Sequence, residues 1–193
     1  MAPTLYFIRH GETDWNVAAR LQGQRDIPIN ANGRAQAAEA GHRLTSILPE
    51  PDSLPWIVSP MSRTRETAEL ARKAIGLPPE HYGMDDRLKE LTFGDWEGRT
   101  WQELRAVDND AVNARFNDKW RFAPPDGESY AMLRDRIRGW LDTIRQDVVV
   151  VSHGGVARVL CVLRAGLAEG DAADADIWQG KVLLFRGEAA EWV

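Results

Sequence analysis

The sequence has only one cysteine, Cys161, among its 193 residues. An intrachain disulfide is therefore excluded, which suits a reducing compartment. It has no apolar run near the ~20 residues that a membrane span requires. The first apolar run, Leu5 to Ile8, has no basic start before it and ends at Arg9, so it does not read as a secretory signal. These absences predict a cytoplasmic protein without a membrane partner. Positive charge is not in surplus: 24 Lys and Arg face 29 Asp and Glu, for a formal net charge of -5. That balance argues against a nucleic-acid surface, which is usually basic across a whole domain. It leaves room for a small local anion site, because fields in clefts need not follow net charge. There is no internal repeat and no low-complexity tract. No heptad or long apolar surface stripe announces a dimer, so an oligomer is left open.

Several motifs are also missing. Gly94 to Thr100 imitates a P-loop, but it has one residue too few between its glycines and Arg99 where Lys is expected. Gly127-Glu128-Ser129-Tyr130-Ala131 lacks the final glycine of a nucleophile elbow and has no strand before it. No dinucleotide fingerprint is present. His10, Glu12 and His153 are conceivable metal ligands. No His-x-x-x-His or Cys pair supports them, and neighbouring arginines would repel a cation. Neither a metal nor another cofactor is expected.

What is present fits one soluble globular domain over residues 1–193: 44% hydrophobic and 27% charged residues in a chain too short for two domains of ordinary size. Leu5 to Ile8, Trp56 to Val58, Val148 to Val151 and Val182 to Phe185 read as strands. The four consecutive valines fit an interior strand covered on both faces. Helical patterns cover Asn32 to Leu48, Pro60 to Ile75, Ser129 to Arg145 and Gly155 to Leu163. In the second, Ser59 is the expected N-cap and Pro60 the first helical residue. In the third, Leu133, Ile137, Trp140, Leu141 and Ile144 form one stripe. Alternating strands and helices predict a three-layer α/β/α sandwich with a mainly parallel central sheet. Residues 81 to 127 break this rhythm. They read as an excursion over one end of the sheet, above the active site.

Ligands of open α/β sheets bind beyond the carboxyl ends of the strands. Three such ends carry reactive groups: Arg9-His10-Gly11, Ser59 to Arg63, and Ser152 to Gly155. Parallel neighbours would bring two histidines and two arginines together. Glycine after a strand lets backbone approach a ligand, a helix N-terminus offers free N–H groups, and arginine matches phosphate oxygens. At ~4 Å and an effective dielectric of ~20, each opposite-charge contact is worth on the order of 4 kcal/mol before desolvation. Two arginines and a protonated histidine are thus expected to hold a phosphate dianion without a metal. Each residue alone has a plainer reading, as loop or surface. His42 and His81 lack such a setting and read as structural or exposed.

Arg9-His10-Gly11-Glu12-Thr13 with Trp15-Asn16 resembles the signature of the histidine phosphatase superfamily, which includes cofactor-dependent phosphoglycerate mutases and many small phosphatases. Leu21 to Ile29, Gly33 to Ala37, Ser59 to Arg63 with Thr67-Ala68, Leu88 to Glu90 with Phe93 to Gly98, and Ser152 to Gly155 resemble its later segments in order. Met61 and Thr64 depart from its usual Leu and Ala, and the last ~30 residues resemble it least. The resemblance implies His10 as the phosphorylated nucleophile, Arg9, Arg63 and His153 as binders of the phosphoryl group, and Glu90 as proton donor. It also implies phosphate contact by Asn16 and a pocket lined near Gln22, Gly23 and Gly154.

The implied activity is hydrolysis of a small phosphomonoester, with inorganic phosphate as product. Phosphoglycerate mutation is the alternative, and a non-catalytic phosphate- or phosphoprotein-binding module is an alternative of another class. The mutases resemble a longer chain with an arginine-rich stretch that has no clear counterpart here. Pro124 to Ser129 looks more like the phosphatase branches, including those acting on α-ribazole phosphate. Trp96, Trp101, Phe116, Trp120 and Phe122 either line the pocket mouth or pack the excursion onto the sheet. Arg115, Lys119 and Arg121 either meet a second negative group or face solvent.

Overall fold

A computed structural model describes residues 2–193. Strands β1 (Leu5–Arg9), β2 (Trp56–Val58), β3 (Gly83–Met84), β4 (Val148–Ser152), β5 (Val182–Arg186) and β6 (Ala189–Trp192) form one sheet in the order β3-β2-β4-β1-β5-β6. The first four run parallel; at one edge β5 pairs antiparallel with β1, and β6 pairs antiparallel with β5. The helices are α1 (Asp14–Val17), α2 (Ala31–Ile47), α3 (Ser62–Ala74), α4 (Trp101–Val107), α5 (Asn109–Asn117), α6 (Tyr130–Leu141), α7 (Gly154–Ala165) and α8 (Glu169–Asp174). Among the described residues, no helix is long and apolar enough to cross a membrane.

The sheet is covered on both faces because its inner parallel strands are apolar at every position before their last residues, Arg9 and Ser152. Successive side chains alternate between faces. Leu5, Phe7, Val148 and Val150 pack with Leu133, Ile137 and Trp140 of α6 and Val156 and Leu160 of α7. Tyr6, Ile8, Val149 and Val151 pack with Ala40 and Leu44 of α2 and Ala68 and Ala71 of α3. This is the three-layer sandwich expected from the sequence. Each fully buried valine of β4 contributes roughly 1.5–3 kcal/mol of transfer free energy. Of the stripe expected on α6, Leu133, Ile137 and Trp140 are fully buried, whereas Leu141 and Ile144 are only partly so.

Two boundaries differ from expectation for local reasons. Helix α3 starts at Ser62 with Met61 as N-cap, not at Pro60, and no side chain caps it. The hydroxyl of Ser59 is engaged elsewhere, as described below. Helix α6 stops at Leu141, where Thr143 and Ile144 N–H groups turn back to the Trp140 and Leu141 carbonyls.

The loop after β1 is pressed against the start of α2. A Cβ on Gly33 would drive into the carbonyl oxygen of Glu12, and one on Gly11 would strike the backbone of Gly33. Only glycine permits this approach. Glu12 N–H donates to Gln36 Oε1 at 2.8 Å, and Asn30 N–H donates to Glu12 O at 2.8 Å, so the loop is tied down at both sides.

Segment 81 to 127 carries β3, two 3-10 turns, α4 and α5. Leu88, Leu91 and Trp120 join the core beneath α6 and α7. Leu21, Trp96, Leu104 and Val112 form a smaller cluster of their own, with Phe122 packed on it. Trp96, Trp120 and Phe122 thus serve packing. Phe116 lines a cavity, and Trp101 both packs on that cluster and lines the same cavity.

Candidate active site

The three parallel strands β1, β4 and β2 end abreast. Arg9 pairs with Ser152, and Val58 with Val151. His10, His153 and Ser59 are therefore the first residues past the sheet on adjacent strands. His10 N–H donates to Ser152 O at 2.9 Å, and Ser59 N–H donates to Val151 O at 3.0 Å. Strand alternation puts Arg9 on the face of Leu5 and Phe7, toward α7.

His10 is 3% exposed. Its Nδ1 lies 2.8 Å from Gly11 O. A carbonyl only accepts, so Nδ1 carries the proton and Nε2 keeps its lone pair. Burial first, then the charges of Arg63 and Arg9, hold the imidazole well below its ordinary value, against the opposing bond to Gly11. His10 is thus neutral near pH 7, the form in which Nε2 is a nucleophile.

His153 is fully buried, with its ring centroid 5.3 Å from that of His10. Its Nε2 is 2.8 Å from Ser59 Oγ. That contact accounts for Ser59 and explains why it does not cap α3. Burial, then Arg63, His10 and Arg9, hold His153 well below the usual histidine range. This runs against the expectation of a protonated histidine: burial first, and then the positive charges of Arg63 and Arg9, disfavour the charged imidazole, so His153 offers a hydrogen bond rather than a charge. Its Nδ1 has no partner.

The two arginines supply the charge. Arg9 donates from Nη1 to Ile177 O at 2.7 Å, and its buried Nε has no partner. Burial lowers its pKa to about 10, opposed by Glu90. Arg63, fully buried at the start of α3, donates from Nη1 to Arg25 O and from Nη2 to Gly23 O, both at 2.8 Å, and its Nε is unpartnered. Both remain cationic at neutral pH. Gln22 Oε1 is a further buried atom without a partner. Buried polar groups are nearly always satisfied. Orphans on Arg9, Arg63 and His153, with both arginines acting electrostatically on the two histidines, describe a cradle for an anion beside His10.

Gly23 holds φ +51°, and a Cβ there would overlap the carboxylate of Glu97. Glu97 accepts from Gln24 N–H at 2.9 Å and Thr92 Oγ1 at 2.8 Å. This acid, unassigned from sequence, shapes the 22–24 loop. Asn16 Oδ1 accepts from Thr13 N–H at 3.0 Å in the capping box of α1. Gly154 opens α7 next to His153.

Glu90 reaches the site from the 81–127 segment. Its carboxylate accepts from Leu91 N–H at 3.0 Å and from Gly155 N–H, in the first turn of α7, at 3.1 Å. Its charge acts on both Arg9 and Arg63. The backbone around it is pinned: Ser152 Oγ donates to Leu88 O at 2.7 Å, Arg136 Nη1 to Lys89 O at 2.8 Å, and Gln24 Nε2 to Glu90 O at 3.0 Å.

Sequence reasoning missed the contribution of the last ~30 residues. Besides Ile177 O on Arg9, Gln179 Nε2 donates to His10 O at 3.1 Å and to Asn16 Oδ1 at 3.2 Å. The pairing of Ile8 with Val182 in antiparallel β5 places the residues before β5 next to the end of β1. The only sequence signal was the strand Val182 to Phe185, and its direction was not readable. Thr67 was noted without a role; its Oγ1 accepts from Gly11 N–H at 3.0 Å and donates to Arg63 O at 2.6 Å. The P-loop imitation resolves as a 3-10 turn whose Gly94 is packed against Pro125 and Asp126, and Ser129 is simply the N-cap of α6. His42 and His81 are exposed.

Residues 5–193 match the histidine phosphatase superfamily, branch 1. The chain is 34% identical over 161 residues to the uncharacterized phosphatase PhoE of Bacillus subtilis, covering 79% of this chain and 72% of that one. It is 33% identical over 168 residues to the probable phosphoglycerate mutase GpmB of Erwinia tasmaniensis, covering 84% and 75%. A solved structure from Escherichia coli, provisionally described as an alpha-ribazole-5'-P phosphatase, superposes with a TM-score of 0.81 at 26% identity, covering 100% of this chain and 95% of that one. The chain belongs to the histidine phosphatase superfamily.

Proposed function

We propose that the protein hydrolyses a small phosphomonoester through a phosphohistidine on His10 and releases inorganic phosphate, without a metal or other cofactor. The observation that carries this reading is the pairing of a neutral imidazole, its tautomer set by Gly11 O, with unpartnered buried donors on Arg9, Arg63 and His153. Phosphoryl transfer asks for in-line positioning and charge stabilisation on the equatorial oxygens. The His10 Nε2 lone pair forms the bond to phosphorus as the ester P–O bond breaks. Arg9 and Arg63 Nε groups and a His153 N–H meet the equatorial oxygens. Asn16 contacts the phosphoryl group, and Gln22, Gly23 and Gly154 line its pocket. Glu90 gives a proton to the leaving oxygen and then takes one from the water that cleaves the P–N bond.

His10→Ala is expected to remove all but a few percent of phosphatase activity (about a hundredfold loss or more). Wild-type enzyme quenched during turnover of a labelled ester should carry acid-labile phosphate on His10. Substantial activity in the variant, or label elsewhere, would sink the proposal.

The GpmB relative favours a second reading, phosphoglycerate mutation. Incubation of 3-phosphoglycerate with catalytic 2,3-bisphosphoglycerate separates the two: the hydrolase reading expects phosphate and no 2-phosphoglycerate.

A further inference from the structure

A cavity of about 240 Å³ opens between α5, α6, α7 and α8, lined among others by Arg115, Tyr130, Arg158 and Asp174. It meets the candidate active site at Gly154: a methyl group built there would lie 3.6 Å from Arg158 Nη1 and 3.6 Å from Arg9 Nε. Arg158, whose charge also acts on Arg9, thus stands where the cavity joins the phosphoryl cradle.

Three cations, Arg115, Lys119 and Arg158, line this cavity against a single carboxylate, Asp174, and Lys119 is already paired with it. Arg115 is 5% exposed, lies 5.4 Å over the Tyr130 ring, and has no partner for Nη1. Arg158 spends Nε on Ala175 O at 3.0 Å and makes only a long 3.4 Å contact from Nη1 to the Tyr130 hydroxyl. Burial, and the charge of Arg158 with it, lowers the Arg115 pKa. Two guanidiniums gathered in a half-dry pocket whose one lining carboxylate is already paired with Lys119 are unfavourable until an anion joins them. The opposite wall is aromatic: Phe93 and Trp101 meet edge-on at 6.4 Å, and Trp101 and Phe116 at 5.1 Å.

We infer that this cavity receives the leaving group, and that the substrate carries a second anionic group, carboxylate or phosphate, which Arg115 and Arg158 bind at the far end of an apolar or aromatic spacer. The inference rests on the hydrolase reading given above.

The test compares para-carboxyphenyl, para-phosphonophenyl and para-carbamoylphenyl phosphate as substrates, the last being a neutral mimic of the first. Wild-type kcat/KM is expected to be roughly tenfold to a hundredfold higher for at least one of the anionic esters than for the carbamoyl ester. The better of the two anionic esters identifies the second group. In Arg115→Met that ratio should fall to about one, and Arg115→Lys should restore part of it. The wild-type comparison decides on its own if Arg115→Met does not fold. Turnover of all three esters without preference, or a preference that survives in both Arg115→Met and Arg158→Met, overturns the inference and leaves the hydrolase reading standing. Inactivity of folded wild-type protein on all three overturns that reading, and this inference with it.

Discussion

Gln179 bonds at once to the carbonyl of His10 and to Oδ1 of Asn16. It never needs to meet phosphorus to matter, because it fixes the peptide that carries the proposed nucleophile. Misplacing a reacting group by a fraction of an ångström costs rate while leaving substrate binding largely intact. Gln179→Ala should therefore lower kcat roughly tenfold with KM changed less than about twofold. Steady-state kinetics on one phosphomonoester decides this; a KM effect with normal kcat would place Gln179 in binding instead. Arg63 shows the same economy. Both of its terminal nitrogens hold the 22–25 loop, so one side chain supports the cradle wall and turns Nε toward the cradle.

Among the elements, the join between the β1 loop and α2 is the least forgiving. Gly33→Ala forces backbone against the Glu12 carbonyl and should destabilise the protein by about 1–3 kcal/mol, typical of overpacking. Thermal or urea unfolding reads this directly, and an unchanged midpoint would show that α2 can slide away from the loop. The long elements were legible in the sequence because their apolar patterns are long. The valines of β4 and the stripe Leu133, Ile137, Trp140 on α6 admit few other readings. The short ones were not. β3 spans Gly83–Met84 and has no pattern at all. Helix α4 buries only Leu104, so its Thr100–Glu103 capping box had no stripe to go with it. Ser59-Pro60 looked like a helix start because local chemistry favoured that; a tertiary partner, His153, claimed the hydroxyl. The candidate site was legible where it follows strand ends, at His10 and His153. It was illegible where antiparallel β5 delivers Gln179, since strand direction leaves no mark on composition.

For the whole molecule, the two buried imidazoles make stability depend on pH. His10 and His153 are held below the unfolded value, near 6.5, chiefly by burial. The unfolded chain then binds more protons than the folded one as pH falls below about 6.5. Their stabilising effect is present above that value and is lost on acidification, by at most about 1.4 kcal/mol per pH unit for each histidine. The urea midpoint should fall between about pH 7 and pH 5.5, and the fall should shrink in His153→Asn. A flat profile would mean that the folded protein protonates these rings freely. The placement of β5 carries a consequence in time as well as space. During synthesis the loop that carries His10, the arginines and His153 all leave the ribosome before Ile177 and Gln179, which latch onto Arg9 and His10. A nascent chain thus holds most of the candidate site in an unlatched state, and the contacts that close it form only when its last hairpin has been translated.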